Sequence, residues 1–270
     1  MKFRANTLKQ NLRAGIPQNA AWVFSADSDA AEILGGCGFD AIILDREHTS
    51  VSMDSTLNQM RAIRAAGDST VLVRVRRGDA AEVAVLLDMG AEGLLLPDAR
   101  SRAEVSAFVE STRYPPRGSR GAHFTVSRAA GWGGQTDEYR ERFEHELLLI
   151  AMIESAQGAD TISDLAHIDG LDLLFVGPLD LSASVDALGA WDDPRYLDLL
   201  DRTERLAHEN HLWLGGALAP PGDAATWIAR GHRLVSVGSD VTFARSAAIG
   251  SREAFARTHS IVSEREDATR

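Results

Sequence analysis

The 270 residues are 44% hydrophobic and 25% charged, a composition that excludes intrinsic disorder and fibrous repeats. Twenty-eight Lys and Arg against 39 Asp and Glu leave a formal charge of −11, which repels phosphate backbones and anionic lipid, so neither a nucleic-acid nor a membrane partner is expected. Cys37 is the single cysteine, which excludes an intrachain disulfide and a cysteine-based zinc cluster and makes a reducing cytoplasm the expected compartment.

The start of the chain is basic, but Lys9, Gln10, Asn11 and Arg13 interrupt any apolar signal core. The longest purely apolar run, 147–153, is seven residues. A membrane helix needs ~20, so this run reads as a buried strand. In chain order, short apolar segments closed by Gly, Pro or Asp predict strands at 21–25, 41–45, 71–75, 93–97, 148–153, 171–176, 212–218 and 233–238. None alternates cleanly with polar residues, as expected of parallel strands covered on both faces. Between them, apolar residues recur at helical spacing, as at Met53, Leu57 and Met60, or Val83, Leu86 and Leu87. Gly38, Gly67, Gly90, Gly170 and Gly231 each precede the next strand, where a left-handed helix cap is expected.

Eight strand–helix units predict an α/β fold, a (β/α)8 TIM barrel forming one domain over residues 1–270. An open doubly wound sheet is the alternative. Residues 114–146 are too long for an ordinary connection and are expected to be an active-site or interface loop. Residues 262–270 are expected to be a frayed tail.

Catalytic groups of such barrels sit at the carboxyl ends of the strands. There the sequence places Asp45-Arg46-Glu47-His48, then Arg74, Glu154, Gly177-Pro178-Leu179-Asp180 and Gly238-Ser239-Asp240. Glu154 and Asp180 follow consecutive strands, whose axes lie ~4.8 Å apart. Two carboxylates that close repel one another. A divalent cation relieves this, and with only two protein ligands it keeps open positions, which suits Mg²⁺ or Mn²⁺; ordinary ion pairing is the other reading. Arg74 offers a fork for a substrate carboxylate, or else a structural pair with Asp45 or Glu47. His48 suits general acid/base work near neutrality, or is a surface loop histidine. His208 and His211 lie on an outer helix and read as solvated. The sequence lacks a Walker A motif, a Gly-x-Ser-x-Gly elbow and a His-Glu-x-x-His pair, so nucleotide and serine hydrolysis are without support.

Several of these stretches resemble the metal-dependent (class II) pyruvate aldolases, the 4-hydroxy-2-oxoheptanedioate and 2-keto-3-deoxy-sugar-acid aldolases among them. The matching residues run in order from Ala31-Glu32-Ile33-Leu34 and Leu44-Asp45-Arg46-Glu47-His48 through Leu72-Val73-Arg74, Leu86-Leu87-Asp88-Met89-Gly90 and Arg113-Tyr114-Pro115-Pro116. They continue in Gly118-Ser119-Arg120-Gly121, Ile153-Glu154, Phe175-Val176-Gly177-Pro178-Leu179-Asp180-Leu181-Ser182 and Val237-Gly238-Ser239-Asp240.

The resemblance implies that Glu154 and Asp180 hold a divalent metal (Mg²⁺, Mn²⁺ or Co²⁺), and that Arg74 binds the pyruvate-type carboxylate and polarises the keto oxygen. It implies that His48, oriented by Asp88, is the general acid/base, that Trp22 flanks the pyruvate pocket, and that the backbone of Gly177, Pro178 and Leu179 meets the carboxylate. It also implies a homo-oligomer, a hexamer whose last helix (241–261) is exchanged between subunits. The implied reaction is reversible cleavage of a 4-hydroxy-2-oxo acid to pyruvate and an aldehyde, with a cation stabilising the enolate charge. The only lysines, Lys2 and Lys9, precede the first strand, so a Schiff-base mechanism is not expected. Arg46, Leu179 and His123-Phe124 depart from the family's pattern and bear on the aldehyde; Arg46 is either an additional cation at the mouth, which suits an anionic or polyhydroxy aldehyde, or a partner of the neighbours of Glu47. Alternatives on the same barrel are a malyl or citramalyl thioester lyase, an oxaloacetate decarboxylase, or a barrel that binds a 2-oxo acid without turning it over.

Overall fold

The computed structural model describes residues 3–77, 79–220 and 222–267, with side chains described as far as residue 257. Among these residues eight parallel strands close into a barrel in sequence order, each pairing with the next and the last with the first. The chain runs α1 (Thr7–Arg13), β1 (Gln18–Val23), α2 (Ser28–Gly36), β2 (Ala41–Asp45), α3 (Met53–Ala66), β3 (Thr70–Arg74), α4 (Ala80–Met89), β4 (Gly93–Leu96), α5 (Arg102–Thr112) and α6 (Thr136–Glu146). It continues with β5 (Leu148–Ile153), α7 (Ala156–Asp160), α8 (Ile162–Leu165), β6 (Leu173–Val176), α9 (Pro178–Ala183), α10 (Pro194–Glu209), β7 (Trp213–Ala217), α11 (Ala224–Ala229), β8 (His232–Ser239) and α12 (Asp240–Asp267). The predicted TIM barrel is therefore observed. Among the described residues no helix is long and apolar enough to cross a membrane.

Alternation of side chains along each strand divides the core into two shells. Inside the barrel lie Ala20 and Trp22, Ala41 and Ile43, Leu72, Ile150 and Met152, and Leu173 and Phe175. Between sheet and helices lie Ile42, Leu44, Val71, Val73, Ala151, Ile153, Leu174 and Val176. Leu8 and Leu12 of α1 plug the amino-terminal end of the inner shell, and both are buried. Burying a Leu side chain contributes ~2 kcal/mol, so the plug holds α1 against the barrel floor.

The predicted helix caps hold with one exception. Gly38, Gly90, Gly170 and Gly231 adopt positive φ, but Gly67 is extended at φ −171. Its role is clearance: a Cβ there would stand 2.5 Å from the Gly35 carbonyl oxygen. The last helix is also longer than expected, running to Asp267 through most of the predicted tail; residues 268–270 lie outside the described residues.

The segment 114–146 follows α5 and precedes β5, which puts it on the amino-terminal face, opposite the mouth. Within one chain the segment therefore does not line the mouth. It forms its own small core from Ala129, Ala130, Tyr139 and Phe143, with Tyr114 and Phe124 against it.

Candidate active site at the barrel mouth

The inner parity of the strands carries the candidate residues upward. Positions 20 and 22, 41, 43 and 45, 72 and 74, and 150, 152 and 154 point inward, so each strand places its last inward side chain, Trp22, Asp45, Arg74 or Glu154, at the mouth. Trp22 is fixed by its indole N–H, which donates to Ser236 Oγ at 3.0 Å, and by stacking on Phe24.

Asp45 organises the turn after β2. Its Oδ1 accepts from the Glu47 N–H at 3.2 Å and its Oδ2 from the His48 N–H at 3.0 Å, an Asx turn that fixes both residues relative to the strand. The same Oδ1 accepts from Arg74 Nε at 2.6 Å. Arg74 Nη1 lies 3.2 Å from Glu47 Oε2, and its guanidinium carbon stands 4.7 Å from the Trp22 ring centroid. The structural pairs foreseen for Arg74 with Asp45 and Glu47 thus both form, and they aim its remaining edge into the mouth.

Glu154 is buried, and its Oε1 accepts from the Asp98 N–H at 2.7 Å. Its other oxygen needs a glycine opposite: a Cβ on Gly177 would stand 2.5 Å from Glu154 Oε2. Burial, then the charge of Glu47, and further the charge of Asp180, push the Glu154 carboxyl up to about 7, against the opposing Asp98 N–H. Glu47 is raised as well, chiefly by burial, and its Oε2 is buried without a hydrogen-bond partner. Asp180 lies in the first turn of α9, exposed at the rim and not at the strand end itself. Three carboxylates thus share a mouth whose nearest cation, Arg74, already meets Asp45. That donor set fits a divalent cation held by Glu154 and Asp180. Among the described residues no three of His, Cys, Asp and Glu form a closed cage, so such an ion would keep positions open.

The chain does not bring together all the candidates. His48 is at the mouth, its side chain 64% exposed, with Nε2 3.6 Å from Glu47 Oε2. Asp88 is not beside it. It ends α4, on the opposite face, where Arg120 Nη2 donates to its Oδ1 at 2.7 Å. The expected orientation of His48 by Asp88 is therefore absent within one chain, because a helix after a strand returns to the barrel floor. Arg46 is corrected too. It points outward on the parity of Ile42 and Leu44, is buried, and pairs its Nε with Glu82 Oε1 at 2.7 Å, adding no cation to the mouth.

Leu179 is exposed beside Asp180 and Pro178 is buried at the start of α9. Asp240 caps β1, accepting from the Phe24 and Ser25 N–H groups at 3.0 Å each. Lys9 is engaged at the floor, 2.8 Å from Asp172, far from any carbonyl at the mouth; Lys2 lies outside the described residues. Asp98 was missed as a site residue, and Asp45 was foreseen only as a partner of Arg74 and not as the residue that organises the turn. Inward parity singles out Asp45, but nothing local marks the Asp98 N–H.

The sequence model of the HpcH/HpaI aldolase/citrate lyase family matches residues 18–247. A hydroxypyruvate/pyruvate aldolase of Deinococcus radiodurans is 34% identical over 249 residues, covering 86% of this chain and 89% of that one. A 4-hydroxy-2-oxo-heptane-1,7-dioate aldolase of Shigella sonnei is 31% identical, covering 90% and 92%. The crystal structure of an HpcH/HpaI aldolase/citrate lyase family protein from Burkholderia cenocepacia superimposes with a TM-score of 0.87 at 31% identity, covering 94% of this chain and 99% of that one. The barrel, the residues at its mouth and these likenesses agree: the chain belongs to the HpcH/HpaI aldolase/citrate lyase family and is a carbon–carbon lyase of the aldolase kind.

Proposed function

We propose that the protein catalyses divalent-metal-dependent, reversible aldol cleavage of a 4-hydroxy-2-oxo acid to pyruvate and an aldehyde. The observation that carries this reading is the buried Glu154 carboxylate, crowded by the charges of Glu47 and Asp180, beside an arginine fixed over Trp22. Bound there, a divalent cation would supply positive charge to the keto and carboxylate oxygens of pyruvate. Arg74, its Nε on Asp45 and Nη1 toward Glu47, offers its remaining edge to the same oxygens. The first turn of α9 offers the N–H groups of Leu179 and Asp180, which have no partner within a helix, to the carboxylate. Trp22 walls the pocket and excludes water from that side.

Cleavage requires removal of the proton from the 4-hydroxyl. The C3–C4 bond then breaks, the aldehyde carbonyl forms at C4, and the electron pair moves through C3 toward the keto oxygen. His48 is placed to take that proton, and in condensation to return it. A carboxylate that fixes its tautomer cannot be the chain's own Asp88. Asp88 is half-exposed on the floor, so in a homo-oligomer it is available to the mouth of another copy. Exposed Val241, Ile249 and Phe255 along α12 favour such an assembly, a hexamer with the last helix exchanged between subunits, acting in the cytoplasm.

The test is pyruvate release from 4-hydroxy-2-oxo acids in Mg²⁺, Mn²⁺ or Co²⁺, with and without EDTA. Turnover unchanged by EDTA, or wild-type metal affinity in Glu154→Gln or Asp180→Asn, would refute the metal role. An unmoved pyruvate Kd in Arg74→Ala would refute the role of Arg74.

A further inference from the structure

An unexplained feature lies on the opposite face. A cavity of about 370 Å³ opens between α3, the turn after α4, the 114–146 segment and α6. Its lining combines apolar Leu87, Ala129, Tyr139 and Phe143 with Arg61, Arg64 and Arg128. In a chain with 11 more acidic than basic residues, such a local excess of cations is unexpected.

The acids of the lining do not neutralise it. Glu92 Oε2 accepts from the Val71 N–H at 2.9 Å, and its Oε1 is 3.2 Å from Arg64 Nη2. Glu146 accepts from the Asn6 N–H at 2.7 Å and from Arg142 at 3.1 Å. Arg4, also in the lining, meets Asp68 at 3.1 Å. Arg61 and Arg128 remain. Among the described residues neither has a carboxylate within 4.0 Å: Arg61 donates to the Asn58 side chain at 3.2 Å and Arg128 to the Met89 carbonyl at 2.8 Å. Burial, followed by the charges of Arg61 and Arg64, holds Arg128 below the ordinary arginine range, with Glu92 opposing. Two guanidinium groups that repel one another beside apolar side chains form an anion site with an apolar part.

We propose that this cavity binds a small aryl carboxylate, its carboxylate between Arg61 and Arg128 and its ring against the wall of Leu87, Ala129 and Phe143. The volume suits a ligand of that size. The lining shares no residue with the mouth of the same chain.

The experiment titrates benzoate into the full-length protein by calorimetry, with saturating pyruvate and Mg²⁺ present to occupy the mouth. Saturable binding is expected, unchanged by pyruvate and unchanged in Arg74→Ala. Arg61→Gln and Arg128→Gln should each weaken it by about tenfold or more, the loss of a charge-assisted hydrogen bond. Arg61 is exposed, so its variant folds whatever the outcome at Arg128. Benzyl alcohol, which keeps the ring without the charge, and acetate, which keeps the charge without the ring, should each bind at least about tenfold more weakly. The proposal is overturned by any of four results: no saturable binding, competition with pyruvate, wild-type affinity in Arg61→Gln, or equal binding of benzoate and either probe.

Discussion

Glu154 shows how much chemistry a single methylene can decide. Gly177 is the residue that lets its carboxylate occupy the space between β5 and β6, since a Cβ there would stand 2.5 Å from Oε2 and 3.0 Å from the Glu154 Cβ. Gly177 has an ordinary φ of −96, so alanine meets no backbone strain and the cost falls on the Glu154 side chain. Gly177→Ala should therefore fold, with a melting temperature within a few degrees of wild type, and lose about tenfold or more in metal affinity, as supporting positions of metal sites do. Wild-type Mn²⁺ affinity by calorimetry would show that Oε2 is not a ligand.

The raised carboxyl of Glu154 also sets a pH dependence. Its proton in the folded, metal-free protein is held up to about 7 against an ordinary 4.5, a cost on the order of 3 kcal/mol at neutral pH. The folded state binds the proton more tightly than the unfolded chain does. The metal-free protein should therefore lose this contribution to stability as pH rises from 4.5 through about 7. Cation binding must displace the proton. Apparent metal affinity should fall on acidification below about 7, by at most tenfold per pH unit, and the cation should raise the melting temperature more at about pH 8 than at about pH 6. Equal melting shifts at the two pH values would remove Glu154 from the binding site.

At the scale of elements, the strands were legible and the two ends of the barrel were confused. β2 and β5 run over the predicted residues because a continuous apolar stretch bounded by polar residues has one consistent reading. Asp88 was set beside His48 because a family resemblance orders residues along the chain and not in space, and the 114–146 segment was singled out by its length, which does not say which end of the barrel it serves. Topology decides otherwise: whatever follows a helix and precedes a strand lies on the floor. Arg46 was misplaced for a related reason, since one step along a strand turns a side chain from the inner shell to the helices.

That outward position carries its own prediction. The Arg46 and Glu82 side chains are 3% and 2% exposed, and Glu82 Oε2 also accepts from the Arg76 N–H at 2.7 Å, tying β2, α4 and the loop after β3 together. Arg46→Met leaves a buried carboxylate without its cation and should cost about 3–5 kcal/mol, read as a lowered urea midpoint. Arg46→Met with Glu82→Leu removes both charges and should recover much of that loss. A single variant as stable as wild type would mean that Arg46 contributes only packing.

For the whole molecule, the question is whether one chain is a complete catalyst. Its mouth contains His48 without Asp88, and its floor presents Asp88 with a side chain 33% exposed and a buried Arg120 behind it. If another copy's Asp88 orients His48, then His48→Ala and Asp88→Asn should each be nearly inactive. Asp88→Asn keeps an acceptor for Arg120, so it should stay folded. Each inactive subunit nevertheless retains what the other lacks: the His48 variant carries an intact floor, and the Asp88 variant an intact mouth. Co-refolding the two should restore pyruvate release that neither shows alone, together with a sedimentation pattern matching the wild-type assembly. Activity no greater than the sum of the two parents, in assemblies shown to be mixed, would confine the reaction to a single chain and leave Glu47, 3.6 Å from His48 Nε2, as the carboxylate that orients it.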